Sequence, residues 1–299
     1  MKLLDFIFAA RPMLHLPVWS IYLITWHQIY PENDFNLSGL VIIIALTLNF
    51  SGAYYINQIF DYETDFINKK LGFLQNNMIT REGMKLCYYI ITFLAIAVAF
   101  AVDIYSGLIC TAIAGLGYIY SAPPLRLKDR PFWGLISNSI AYGIMIPLMI
   151  PNIFEYWDEH AVYLPVYFFL TVSAGYMLTI IPDREGDIKS GKITFAALLP
   201  TFYLMMIAML LLYLSLMAAI RMEQFHLSVL SAIAIIIFLI ALINRKSPVI
   251  LFACKAPILM MSLLAGYYYP TYLVFLLAVL ILTRIYYQRR FGIVYPRIN

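Results

Sequence analysis

Ten stretches of about twenty apolar residues follow one another along this chain, and that spacing leaves few folds open. In lipid, every backbone N–H and C=O has to be bonded within the protein, so a spanning segment is either a helix or a strand of a closed barrel. Barrel strands alternate in polarity over about ten residues, and these runs are longer and continuous. We therefore expect an all-α, multi-span transmembrane bundle, with helices over 12–30, 37–60, 82–102, 105–121, 132–150, 161–181, 195–220, 227–243, 249–268 and 271–287. Composition supports this: 63% of the residues are hydrophobic and 12% charged, against roughly 45–50% and 25% in soluble domains. No linker or low-complexity segment interrupts the pattern, so one integral-membrane domain is expected over 1–299. The opening MKLLDFIFAARP is expected to be retained, because Asp5 breaks its apolar part and Arg11-Pro12 stands where a small-residue cleavage site belongs. Cys87, Cys110 and Cys254 have no metal or redox spacing and read as small apolar residues.

The charges give the chain a direction. With the N-terminus in the cytoplasm, all but two of the 20 Lys and Arg fall on inner segments. The exceptions are Arg221, on an outer turn, and Lys255, within a span. The outer turns carry acids instead: Glu32, Asp34, Asp103, Glu155, Asp158, Glu159 and Glu223. Both termini are therefore expected in the cytoplasm. A net charge of +4, scattered in this way, gives no reason to expect a nucleic-acid partner, and no obligate protein partner is expected either. The basic tail RRFGIVYPR reads as an anchor to anionic lipid headgroups.

Two inner segments carry the chemistry. NQIFDYETDFINKK closes the second helix and sets Asn57, Asp61 and Asp65 four residues apart; DREGDIKSGK closes the sixth and does the same with Asp183 and Asp187. Positions four apart share a helix face, so each motif is a polar column. Carboxylates stacked near lipid repel one another and need positive charge. Salt bridges to Lys69, Lys70, Arg126, Lys128 or Lys189 would supply it, and so would a divalent cation. Oxygen ligands without His or Cys suit Mg²⁺, which binds through one or two carboxylates plus substrate phosphates. Two acidic columns with bases beside them suit a diphosphate, and an apolar cavity behind them would suit a polyprenyl tail. A transporter of an anionic substrate is the alternative, although its acids should lie near the bilayer midplane rather than at helix ends. A scaffold with structural acids is a further one.

These residues resemble the UbiA superfamily of intramembrane prenyltransferases. NQIFDYETD resembles its NxxxDxxxD motif, and DREGD its second, DxxxD-type motif. Arg11-Pro12, the segment from Tyr120 to Lys128 (YSAPPLRLK) and the stretch from Gly186 to Thr194 (GDIKSGKIT) are similar to family segments in the same order. The resemblance implies a bundle of nine helices where the apolar runs give ten, around an apolar cavity open to a polar cytoplasmic cap. It implies Mg²⁺-dependent transfer of a polyprenyl group from an allylic polyprenyl diphosphate to a lipophilic acceptor, with an aromatic or quinone-precursor acceptor expected. By the same carry-over, Asn57, Asp61, Asp65, Asp183 and Asp187 would hold Mg²⁺ and diphosphate. Arg126, Lys128 and Arg11 would meet phosphate, and Tyr120 would orient the diphosphate or face the developing cation. The Arg-Pro pair that many members carry after the first motif is replaced by KKLGFLQNN, which moves the expected basic contact to Lys69 or Lys70. Gln58 stands where Asp is commoner. Of the remaining polar residues within spans, His15 and His27 read as packing residues, Lys255 as snorkelling or paired, and Asn138 as facing a neighbouring helix or the cavity.

Overall fold

The structure, a computed structural model, describes residues 2–31, 35–67, 72–150, 159–189 and 191–296. Lys69 and Lys70, the outer-turn acids Glu32, Asp34, Glu155 and Asp158, and Arg297 lie outside these residues.

All regular elements among the described residues are helical, as the apolar runs predict. In chain order they are α1 (Lys2–Ala9), a 3₁₀ turn (Pro12–His15), α2 (Leu16–Ile29), α3 (Leu37–Phe60), α4 (Tyr62–Ile67), α5 (Arg81–Val102) and α6 (Ile104–Ser121). A second 3₁₀ turn (Leu127–Asp129) leads into α7 (Pro131–Ser139), a π-helical turn (Ile140–Met145) and α8 (Ile146–Leu148). Then come α9 (Glu159–Thr179), α10 (Arg184–Lys189), α11 (Phe195–Leu198), α12 (Thr201–Arg221), α13 (Phe225–Asn244), α14 (Ser247–Tyr268) and α15 (Pro270–Phe291).

Eight of the described helices are each long and apolar enough to cross a membrane: α3, α5, α6, α9, α12, α13, α14 and α15. A ninth is obtained if α1 and the unit Pro12–Ile29, bent against each other by 40°, count as one span. The fifth expected segment is helical too, but consists of α7, the π turn and α8 in succession.

Local chemistry explains most boundaries. The Asn36 side chain accepts the Gly39 N–H to start α3, and Thr80 does the same for Gly83 at α5. Asp103 alone joins α5 to α6, extended in its backbone and capping α6 through Ser106. Two boundaries differ from expectation. Residues 195–220 are two helices rather than one, because Pro200 has no N–H to donate and pushes Leu199 into an extended conformation. The opening residues before Arg11 are a helix of their own, packed on the C-terminal one.

The long helices α3 and α9 lead into the two motifs but stop short of them: α3 ends at Phe60 and α9 at Thr179, so Asp65 sits on α4 and Asp187 on α10, and the single helix end expected for each motif is broken. α3 packs on α5 and α6; α9 packs on α12, which packs on α13; α2 closes the bundle against α14. The outer faces are apolar, with Leu37, Phe93, Ile243 and Val274 at least 70% exposed. Large apolar side chains so widely exposed match a hydrocarbon solvent rather than water.

Candidate active site at one end of the bundle

The column expected at the end of α3 forms despite a break at Asp61, which caps the helix. The Asp61 N–H donates to the Asn57 carbonyl (2.9 Å), and the Asp65 N–H donates to the Asp61 carbonyl (2.8 Å). The Asp187 N–H donates in the same way to the Asp183 carbonyl (2.9 Å). Both columns line one cavity of about 700 Å³, together with Arg11, Tyr120, Lys128, Asp129, Lys192 and Thr194 at its mouth. Its deeper wall is apolar: Leu212, Leu230, Ala234, Phe238, Cys254 and Met261. A smaller cavity of about 230 Å³ adjoins it. The two share Arg11, Leu14, Tyr54, Asn57, Tyr120, Asn138 and Tyr142; the smaller one is completed by Phe50, Ile113, Leu116 and Ala141 among others.

Charge at the mouth runs as a chain of ion pairs. Lys128 Nζ lies 2.6 Å from Asp61 Oδ1, and Arg126 Nη2 lies 3.6 Å from the same oxygen. Arg126 Nε meets Asp129 Oδ2 at 2.9 Å. Lys192 Nζ lies 3.8 Å from Asp129 and 4.0 Å from Asp187, whose other oxygen accepts from the Thr194 hydroxyl at 3.0 Å. The first motif is thus tied to the second through Asp129. Burial pulls the Lys128 ammonium below its ordinary pKa, and the negative charge of Asp61 opposes that shift.

Asn57, Asp61, Asp65, Tyr120, Lys128, Asp183, Asp187 and Arg11 come together at this mouth. Arg126 does not line the cavity and reaches Asp61 and Asp129 from behind it. Asp129, Lys192, Tyr54, Tyr142 and Tyr176 line the cavity although the motifs did not point to them. A lone acid within the basic run RLKDR was the available signal for Asp129. Asn138 faces both cavities. His15 is a packing residue, its Nε2 lying 3.1 Å from both the Thr47 carbonyl and Ser51 Oγ. The amide nitrogen of Gln58, the departure within the first motif, donates to the Ala9 and Tyr54 carbonyls and points away from the acids.

The donor set suits a hard divalent cation: four carboxylates and an amide, all oxygen, on two sides of one opening. Among the described residues, no three of His, Cys, Asp and Glu converge to form a cage by themselves. Mg²⁺ usually takes one or two carboxylates and completes its coordination with waters and substrate phosphates.

The UbiA prenyltransferase family matches residues 17–249, and the chain belongs to that family. It is 29% identical over 173 residues to the chloroplastic 2-acyl-4-prenylphloroglucinol 6-prenyltransferase of Humulus lupulus, covering 52% of this chain and 40% of that one. It is 25% identical over 162 residues to a digeranylgeranylglyceryl phosphate synthase of Methanobrevibacter smithii, covering 53% and 57%. The chain thus spans about half the length of these curated relatives. In fold it is similar to a UbiA homologue from Archaeoglobus fulgidus solved with GPP and Mg²⁺, with a TM-score of 0.70, 18% identity, and coverage of 89% of this chain and 98% of that one. A solved digeranylgeranylglyceryl phosphate synthase gives a TM-score of 0.66 at 20% identity, covering 89% and 97%. Helices and family together make this an integral membrane protein, and the transporter alternative finds no support in them.

Proposed function

We propose that this protein transfers a polyprenyl group from an allylic polyprenyl diphosphate to a lipophilic acceptor, releasing diphosphate. The observation that carries this is the single 700 Å³ cavity, with both acidic columns and three cations at its mouth and apolar side chains in its depth. In this reading Lys128, Lys192 and Arg11 hold diphosphate oxygens, with Arg126 orienting Asp61 behind them and Lys69 or Lys70 adding a contact. Asn57, Asp61, Asp65, Asp183 and Asp187 would hold Mg²⁺, which supplies positive charge to the leaving group as the C1–O bond breaks. The prenyl tail lies against Leu230, Phe238 and Met261. The Tyr120 and Tyr142 rings border the allylic centre, where a π face favours positive charge. The apolar wall keeps water from the cation. The acceptor occupies the smaller cavity, forms the new bond to C1 and loses a proton. An aromatic or quinone-precursor ring suits the Phe50, Tyr54 and Tyr142 lining.

The site faces the cytoplasm, as do both termini, and one domain spans the chain. The orientation rests on the segregation of Lys and Arg onto one set of turns. Purified protein is offered several prenyl diphosphates with a panel of acceptors, and products are read by mass spectrometry. We expect a prenylated product, lost on chelation and restored by Mg²⁺. Absence of any product across the panel, or undiminished transfer in both D61N and D183N, overturns the proposal.

A further inference from the structure

Among the described residues, Arg11 is the cation that lines both cavities. Its backbone is left-handed, with φ of 54°, a conformation that residues with side chains seldom adopt and that needs support from its surroundings. Its N–H donates to the Phe8 carbonyl (3.1 Å), and its own carbonyl accepts the Leu14 N–H (2.8 Å). The position of Arg11 therefore follows that of α1, the helix ending two residues before it.

α1 is gripped from two sides. On one side, Asp5, only 1% exposed, accepts from Arg290 Nε (3.1 Å), Arg290 Nη2 (2.9 Å) and the Tyr286 hydroxyl (2.5 Å) on α15. Phe8 stacks on Tyr286 with ring centres 3.8 Å apart. On the other side, α3 reaches across: the Tyr55 hydroxyl donates to the Phe6 carbonyl (2.7 Å), and the Gln58 amide to the Ala9 carbonyl (2.8 Å). Asp5 is buried while Arg290 keeps 27% of its side chain exposed, so it is the Asp5 carboxylate that is left charged and unpaired if α1 shifts away from α15. The Asp5–Arg290 pair joins positions 285 residues apart.

We propose that Asp5 and Arg290 are positioning residues: they lock α1 between α3 and α15 and so hold Arg11 at the wall common to both cavities. This rests on the proposed prenyl transfer, in which Arg11 meets the diphosphate.

Steady-state transfer is measured for the unaltered protein and for D5N, R290K, Y286F, R11Q and D5N/R11Q in one detergent. We expect D5N to raise KM for the prenyl diphosphate about tenfold while kcat changes little. R290K, which keeps the charge but loses the planar fork, falls between D5N and the unaltered protein. D5N/R11Q is no worse than R11Q, because Asp5 acts through Arg11. If D5N does not fold, Y286F and Y286F/R11Q carry the same comparison, with a smaller KM rise in Y286F that vanishes in Y286F/R11Q. An unchanged KM in D5N, or a double variant whose losses multiply, overturns this inference and leaves the proposed function standing. No turnover of any prenyl diphosphate by the unaltered protein overturns the proposed function and this inference with it.

Discussion

At the residue scale, Asp61 and Lys128 form a tight ion pair at the mouth, at 2.6 Å. Asp61→Asn removes a carboxylate from the first column and leaves the buried Lys128 ammonium without its nearest counter-charge. We expect kcat/KM for prenyl transfer to fall by about 10²–10³, the order seen when one preorganised electrostatic group is lost. Asp183→Asn should cost a similar factor, read in the same assay. We also expect Lys128 to set a pH limit. Its folded-state pKa lies below the ordinary lysine value because burial disfavours the charged form. Raising the pH therefore strips its proton earlier than from an exposed lysine, and affinity for diphosphate should decline on the alkaline side. Lys128→Arg should move that decline to higher pH in a profile of kcat/KM, since guanidinium stays charged. An alkaline limb identical in K128R would show that another group sets it. The acidic columns were legible from spacing alone. Asp129 was not, because one acid in a basic turn looks like any surface charge until the fold sets it between Arg126 and Lys192.

Among the elements, the composite helix from Pro131 to Leu148 crosses α9 at Gly143, within the π turn. A Cβ at Gly143 would lie 2.4 Å from backbone atoms of Phe169, which have no rotamer to yield. Gly143→Ala should lower stability by about 1–3 kcal/mol, read as a drop in melting temperature in detergent, because the helices have to separate. Since Asn138 and Tyr142 on this element line both cavities, the same change should weaken transfer. The spans themselves were legible because the period and length of apolar runs decide whether a segment can cross lipid. The π turn was not, because nothing in ISNSIAYGIM marks an i→i+5 pattern apart from an ordinary apolar helix. The Pro200 break could have been read, but the apolar residues on both sides suggested one run.

For the whole molecule, the depth of the large cavity lies among α12, α13 and α14, through Leu212, Ala234, Phe238 and Cys254. Sequence could not separate these residues from lipid-facing ones, since lipid tails and a prenyl cavity select the same side chains. Ala234→Phe fills that depth. We expect it to shift preference toward shorter prenyl diphosphates, measured as the ratio of kcat/KM values for short and long donors; an unchanged ratio would place the tail elsewhere. The docking of α1 on α15 was equally hidden. Asp5 and Arg290 stand at opposite ends of the chain, and each alone reads as an interfacial charge.

Two cavities that share Arg11, Asn57 and Tyr120 as common masonry cannot be filled independently. Through these shared side chains, we expect occupancy of the large one to change what the small one presents and so to couple the free energies of the two occupancies. Such coupling is reciprocal: the factor by which an acceptor tightens or loosens diphosphate binding equals the factor by which diphosphate changes acceptor binding. Titrating each ligand with and without the other, using a non-reactive donor analogue, should therefore return one coupling constant from both directions.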